Sequence, residues 1–287
     1  MKWSPLLRWY ANEKRDLPWR KTHDPYRILV SEVLLQQTQV SRVLDFYKRW
    51  LKQFPTWHAL ARASNADVIR AWAGLGYNRR GLMLRDIAKQ VVKDGVPETE
   101  QAWLELKGIG PYTAAAISAF AQKQHTIPID TNIRRVLGRV LLGKPFPDLK
   151  DDERLKKKVG AQTPELWQAT FDLAVAICKK NPDCAICPMR SQCPASKKFL
   201  SGRVQIPKQM VKKALETKHR NKPFPDRIYR GRILKEARLN HGDLETLGAR
   251  IDPAFAPSKD TDWLMRMLER MQKDGLIRLS KNRVTLA

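Results

Sequence analysis

The sequence predicts a mainly α-helical fold with a small α+β module at its C-terminus. Three observations carry this. In the first 200 or so residues strand-like alternation is scarce and apolar residues recur at helical spacing. All four cysteines of the chain fall together between Cys178 and Cys193. After about residue 223, helical patterns give way to two short apolar runs around a turn. The chain has 287 residues, 43% of them hydrophobic, which allows a sizeable core and suits about two domains of roughly 150 residues.

The elements follow in order. A helical pattern starts at Ile28 and continues through Val40 to Val43, Leu44 and Tyr47. Glu32, Gln36 and Gln39 fall at i, i+4 and i+7, a polar stripe on an otherwise apolar helix. Further helices are predicted over 65–73, 82–92, 101–106, 112–121, 132–142 and 165–178, with Gly and Pro marking the turns. Residues 203–222 hold seven basic side chains and one acidic, the composition of a linker or extended basic arm. Helices then follow over 227–239, near 243–250 and over 260–273. Runs 275–279 and 283–286 flank the turn Ser280-Lys281-Asn282 as a two-strand ribbon. This order, three helices and a hairpin, resembles a winged-helix module. The predicted organisation is a region over 1–200, a basic linker over 201–222 and a winged-helix-like domain over 223–287.

Charge narrows the function. Lys and Arg number 54 against 29 Asp and Glu, a formal net charge of +25. Folding does not require this imbalance, and it points to a polyanionic partner, nucleic acid first. No apolar run reaches the length of a spanning helix, and the N-terminus has no apolar stretch of signal-peptide length. The expectation is an intracellular protein, where reduced thiols persist.

The cysteine spacing is Cys178-x5-Cys184-x2-Cys187-x5-Cys193. Four thiolates in one short segment can wrap a [4Fe–4S] cluster or a tetrahedral zinc, and the spacing alone leaves both open. Upstream, Leu106-Lys107-Gly108-Ile109-Gly110-Pro111-Tyr112 sits between two helical patterns. Two glycines at i and i+2 permit a tight turn, and the next helix offers free N–H groups to a phosphate. Asp130 precedes a helical pattern as an N-cap would. Glu32 lies among Leu29, Val30, Val33 and Leu35. If it faces a cleft, burial should raise its pKa and make it an acid near neutral pH.

Taken together, the hairpin, an Asp about 20 residues on and the four-Cys loop resemble the helix-hairpin-helix DNA glycosylase superfamily, over nearly all of residues 1–200. Within it the chain looks like the MutY family of adenine DNA glycosylases. Leu17-Pro18-Trp19-Arg20, Asp24-Pro25-Tyr26, Ser31-Glu32-Val33, Leu35-Gln36-Gln37-Thr38-Gln39-Val40, Phe54-Pro55-Thr56 and Gly74-Leu75-Gly76-Tyr77 carry that resemblance. It implies a two-lobed helix-hairpin-helix glycosylase fold with an iron–sulfur loop, and a monomer acting on double-stranded DNA with a mispaired or damaged base.

The resemblance also implies roles. Glu32 protonates the departing adenine, and Asp130 stabilises or attacks the oxocarbenium-like sugar. Tyr112 stands where lyase-competent relatives carry a lysine nucleophile, which implies a monofunctional enzyme. Asn132 orients the reaction centre. Trp19, Arg20 and Gln36 line the pocket for the extruded base, and Gln37 and Tyr77 fill the stack behind it. Lys107, Gly108, Ile109 and Gly110 hold DNA phosphates. Cys178, Cys184, Cys187 and Cys193 hold the [4Fe–4S] cluster.

The chain departs from the family at four points. Thr131 replaces a glycine, Asn78 replaces a second tyrosine, and the first Cys interval is one residue short. The C-terminus also lacks the pattern of a Nudix-like domain that reads 8-oxoguanine. The winged-helix-like module takes its place, and Arg266, Arg270, Lys273, Lys281 and Arg283 are its candidate DNA contacts. A thymine or uracil mismatch glycosylase and a non-catalytic iron–sulfur DNA-binding regulator are the alternative readings.

Overall fold

The computed structural model describes residues 1–207, 218–220 and 222–287. Half of the predicted linker over 201–222, residues 208–217 and 221, therefore lies outside the described residues. The chain packs as two compact units, Met1–Tyr47 with Val96–Gln209, and Lys48–Gly95 with Met210–Ala287. Both are built almost wholly of helices. Among the described residues no helix is long and apolar enough to cross a membrane.

The first unit contains α1 (Ser4–Glu13), α2 (Pro25–Leu35) and the start of α3 (Val40–Gln53). The second takes the remainder of α3 with α4 (Trp57–Arg62), α5 (Asn65–Ala71) and α6 (Arg79–Asp94). The chain returns to the first unit for α7 (Glu100–Leu104), α8 (Pro111–Phe120), α9 (Thr131–Leu142), α10 (Asp152–Val159), α11 (Pro164–Ala176) and α12 (Pro194–Leu200). It ends in the second with α13 (Asp226–Arg238), α14 (Leu244–Ile251), α15 (Pro257–Lys273), β1 (Ile277–Leu279) and β2 (Val284–Leu286).

Local chemistry sets the helix starts. Proline occupies the first turn of α2, α8, α11, α12 and α15, where its missing N–H costs nothing. Side-chain caps satisfy other free amides: Asp24, Thr56, Ser64, Thr99, Asp130 and Asp243 each accept from a backbone N–H one turn in. The core of the first unit is aromatic and aliphatic, with Trp167, Leu6, Tyr10, Ile133, Val136, Leu137 and Leu173 all buried.

One expectation is corrected here. The apolar pattern from Ile28 to Tyr47 is not one helix: α2 ends at Leu35, and α3 begins at Val40. Gln37 between them adopts φ 56°, a left-handed conformation that helical periodicity does not register. The predicted stripe of Glu32, Gln36 and Gln39 is therefore broken. Glu32 stays on a helix, and the two glutamines sit in the connection between α2 and α3.

The C-terminal part of the second unit follows the predicted order of three helices and a hairpin. Strands β1 and β2 pair antiparallel, with Ile277 opposite Leu286 and Leu279 opposite Val284. Asp243 makes an isolated antiparallel bridge to Arg283, and Val284 N donates to Gly242 O at 2.7 Å. Tyr229, Ile233, Leu247, Trp263, Leu268, Met271, Ile277 and Val284 fill its core. Within the same unit the hairpin end is tied to α5, Asn65 Nδ2 donating to Gly275 O at 2.7 Å. A Cβ placed on Gly242 would lie 1.9 Å from Val284 O. The obstacle is backbone, so no rotamer change relieves it. Gly242→Ala is expected to destabilise by about 1–3 kcal/mol, read as a lower melting temperature. An unchanged midpoint would refute this packing of the hairpin.

Candidate active site

Most of helix α2 is covered: Ile28, Leu29, Val30, Val33 and Leu34 are all buried, while Arg27 near its start stays exposed. Glu32 sits in this setting at 8% exposure. Its carboxyl reaches a cavity of about 350 Å³ that Tyr112, Asp130 and Asn132 also line. Burial raises the Glu32 pKa from 4.5 to about 7. A hydrogen bond from the Tyr112 phenol opposes the rise, and the Asp130 charge adds to it. Tyr112 is itself pushed well above 10, by burial first and then by the charges of Glu32 and Asp130. It stays a phenol and donates.

Asp130 is both an N-cap and a cavity residue. One oxygen, Oδ1, accepts from Asn132 N at 2.8 Å and Ile133 N at 2.7 Å. The other, Oδ2, accepts from Asn132 Nδ2 at 2.7 Å. Burial still raises its pKa above 3.8 against these three bonds. Asn132 Oδ1 in turn accepts from Arg135 Nη2 at 3.0 Å. Arg135 also donates to Cys178 O at 2.7 Å and Ala174 O at 3.1 Å. The orientation of the Asp130 carboxylate is thus fixed from the helix end on one side and from the Asn132 amide on the other.

Trp19, Arg20 and Gln36 line the same cavity. Trp19 packs edge-on against Tyr47, ring centroids 5.4 Å apart. The Arg20 guanidinium forks onto Asp172 at 2.7 and 2.8 Å, and Arg15 Nε joins the same carboxylate at 2.6 Å. The fork holds Arg20 in one pose. Asp172 is buried, yet its two arginines hold its pKa below the usual value against the opposing effect of burial.

Sequence reasoning missed Arg15, Asp172 and Gln168. Gln168 lines the cavity, with its Oε1 accepting from Tyr10 Oη at 2.9 Å. The available signal was the one that singled out Glu32. Gln168 and Asp172 are polar residues four apart on α11, a helix otherwise rich in apolar side chains.

Gln37 is an exposed turn residue outside the set lining the cavity. Tyr77 belongs to the second unit. It is 63% exposed, has φ 48° and lies under the Arg80 guanidinium at 5.3 Å. Lys107, Gly108 and Gly110 are exposed between α7 and α8, with Ile109 buried beneath them. Gly108 takes φ 99°, which disfavours any residue with a Cβ. The hairpin leads directly into α8, which carries Tyr112.

The four cysteines line one further cavity, together with Arg139 and Met189. Burial raises Cys184 and Cys193, and pushes Cys187 up to about 12. Arg139 Nη1 approaches Cys178 Sγ at 3.3 Å and also donates to Lys179 O and Lys180 O. Among the described residues no three His, Cys, Asp or Glu side chains are arranged to hold a single metal ion.

Residues 30–162 match the model of the HhH-GPD superfamily base excision DNA repair proteins. The adenine DNA glycosylase of Mycobacterium tuberculosis (strain ATCC 25618 / H37Rv) is 39% identical over 195 residues, 64% of this chain and 64% of that protein. The chain thus spans a little less than two thirds of that relative. The adenine DNA glycosylase of Buchnera aphidicola subsp. Baizongia pistaciae is 30% identical over 292 residues, 98% of this chain and 81% of that protein. Among solved structures, a thermostable thymine-DNA glycosylase superposes with a TM-score of 0.62 at 28% identity, covering 68% of this chain and 94% of that one. The helical fold, the buried glutamate opposite the capped aspartate and these likenesses agree, and the chain belongs to the adenine DNA glycosylase family of the HhH-GPD superfamily.

Proposed function

We propose that the chain is a monofunctional DNA glycosylase of base-excision repair that hydrolyses the N-glycosidic bond of adenine mispaired with 8-oxoguanine or guanine. One observation carries the reading: Glu32, shifted to about 7 by burial, shares a cavity with the capped carboxylate of Asp130. Near neutral pH a substantial fraction of Glu32 still carries a transferable proton, while three hydrogen bonds to Asp130 favour its anion. Protonated Glu32 delivers its proton to the base, making it a leaving group. The C1′–N bond breaks with its electron pair going to the base. Asp130 supports the positive charge left on the sugar, and water supplies the hydroxyl at C1′ while its other proton restores the acid form of Glu32. Tyr112 holds the Glu32 carboxyl. A phenol cannot form a Schiff base with C1′, so strand cleavage is not expected.

Around this centre we assign Asn132 to orienting Asp130, and Trp19, Arg20 and Gln36 to the extruded base. Gln37 and Tyr77 fill the vacated stack. Lys107 to Gly110 present the amides of a helix start to a backbone phosphate. Residues 1–200 form the catalytic region and 223–287 a winged-helix-like module that adds duplex affinity. The protein works as a monomer inside the cell.

The cysteine residues fit a [4Fe–4S] cluster. Four thiols converge on one cavity, burial disfavours the bare thiolates of Cys184, Cys187 and Cys193, and Arg139 donates to Cys178 Sγ. A cationic centre would keep all four thiolates ionised there, so Cys178, Cys184, Cys187 and Cys193 are the ligands. The cluster supplies a fixed link in the loop between α11 and α12 rather than a step of the hydrolysis. Cys184→Ser is expected to cost visible absorbance and melting temperature together, whereas zinc, with its filled d shell, gives no such absorbance.

The deciding experiment is single-turnover base release from duplexes holding A:8-oxoguanine, A:G, T:G and U:G. Adenine release without strand cleavage is expected. Release of thymine or uracil alone would favour the mismatch reading, which the similarity to a thymine-DNA glycosylase keeps as the second candidate. No release at all would leave a DNA-binding protein.

A further inference from the structure

A third cavity, of about 510 Å³, lies wholly within the C-terminal part of the second unit. Lys218, Arg227, Arg230, Arg266 and Arg270 line it together with Trp263. We propose that this pocket is a phosphate clamp that takes the backbone of one DNA strand, independently of sequence. The proposal rests on the reading of the protein as a DNA enzyme.

The charge balance points to an anionic ligand. Five cationic side chains line the pocket against one acid, Asp226. That acid is engaged by Trp263 Nε1 at 3.1 Å. Asp274, outside the lining, pairs with Arg230 at 2.7 Å. Arg227 and Arg230 stand one turn apart on α13, and Arg266 and Arg270 one turn apart on α15. The like charges of Arg266 and Arg270 repel at this spacing. A phosphodiester between the two helices turns that repulsion into attraction, and arginine forks suit its paired oxygens.

The pocket is also built to hold its shape. His219 stacks on Trp263, centroids 5.1 Å apart and 7° from parallel. Its Nε2 lies 3.1 Å from Asp260 Oδ1. Lys222 Nζ reaches Asp252 and Asp260 at 2.5 and 2.7 Å. These contacts anchor the segment bearing Lys218 to the start of α15. Trp263 is nearly covered, so it serves as an apolar lining that strengthens the charges beside it rather than as a platform for a base.

The test uses the full chain and an undamaged duplex, with affinity measured over a range of salt concentrations. Each phosphate contact contributes about 0.9 to the slope of log affinity against log salt. The double variant Arg266→Ala/Arg270→Ala is expected to lower the slope by about 1 to 2. Lys89→Ala/Lys93→Ala removes the same charge from exposed positions on α6 outside the pocket, and its slope should stay at the wild-type value. Arg266→Lys/Arg270→Lys should keep the slope but bind more weakly, since charge is retained and the fork is lost.

Equal slopes for the pocket and control pairs would overturn the proposal. So would a rise in melting temperature with inorganic phosphate as large as with duplex, which would assign the pocket to a free anion. Adenine release is measured on the wild type in parallel. Its failure would overturn the catalytic reading and leave the slope comparison standing, so the two can fail separately.

Discussion

Glu32→Gln is expected to slow single-turnover base release by about 10²–10⁴-fold, the usual contribution of a positioned general acid, while duplex affinity stays within a few-fold. The substitution keeps the size and polarity of the side chain and removes only the transferable proton. The pH profile adds a second signature. The wild-type rate should be level below pH 7 and fall about tenfold per pH unit above it, as the acid form of Glu32 is lost with its pKa near 7. On the acid side the rate should drop as Asp130 takes up a proton, at a pH above the ordinary aspartate value of 3.8 because burial raises it. The residual Glu32→Gln rate should show no limb near 7. If it does, the titrating group is not Glu32.

The same shift has a consequence for stability. A carboxyl with its folded pKa raised from 4.5 to about 7 binds its proton more tightly in the folded chain than in the unfolded one. Stability is therefore lost as pH rises from about 4.5 to about 7, and the deficit is constant above that, on the order of 3 kcal/mol. Glu32→Gln should accordingly melt above wild type at pH 8, with the gap closing as the pH approaches 5. A variant that loses activity while gaining stability is hard to explain by misfolding.

The composition of the site was more legible than its geometry. Glu32 stood out because a carboxylate in an apolar run is either exposed or buried for a purpose, and here it is buried. Asp130 read as an N-cap from its position and as a catalytic carboxylate only through the family resemblance; the structure shows the cap and puts the same carboxylate on the cavity that Glu32 lines, a juxtaposition that position in the sequence does not reveal. The fork of Arg20 onto Asp172 was hidden for a different reason. Its partners are 152 residues apart, and periodicity carries no information on pairing at that distance. The break after Leu35 escaped because apolar residues keep helical spacing across the turn and only the left-handed Gln37 interrupts it. The C-terminal helices and hairpin were predicted to within a few residues, because their capping, turn and apolar patterns all agree.

Asp130 offers the other large effect and a way to separate its two roles. Asp130→Asn and Asp130→Ala should both lower the rate of base release by about 10²–10³-fold, as expected when a preorganised charge opposite a developing cation is removed. Their stabilities should differ. Asparagine retains an oxygen for the amides of Asn132 and Ile133, which Asp130 now holds at 2.8 and 2.7 Å, so the start of α9 survives. Its side-chain NH2 then faces the Asn132 amide, which must turn over and surrender its contact with Arg135. Alanine loses the cap outright, at a cost of about 1 kcal/mol. Removing a half-buried charge offsets part of the cost in both, because Asp130 is held above its ordinary pKa despite three hydrogen bonds. Equal rate losses with unequal melting temperatures would assign catalysis to the charge and the cap to the oxygen. A near-normal rate for Asp130→Asn would reduce Asp130 to a helix cap, and Glu32 would then have to work without an anionic partner beneath the sugar.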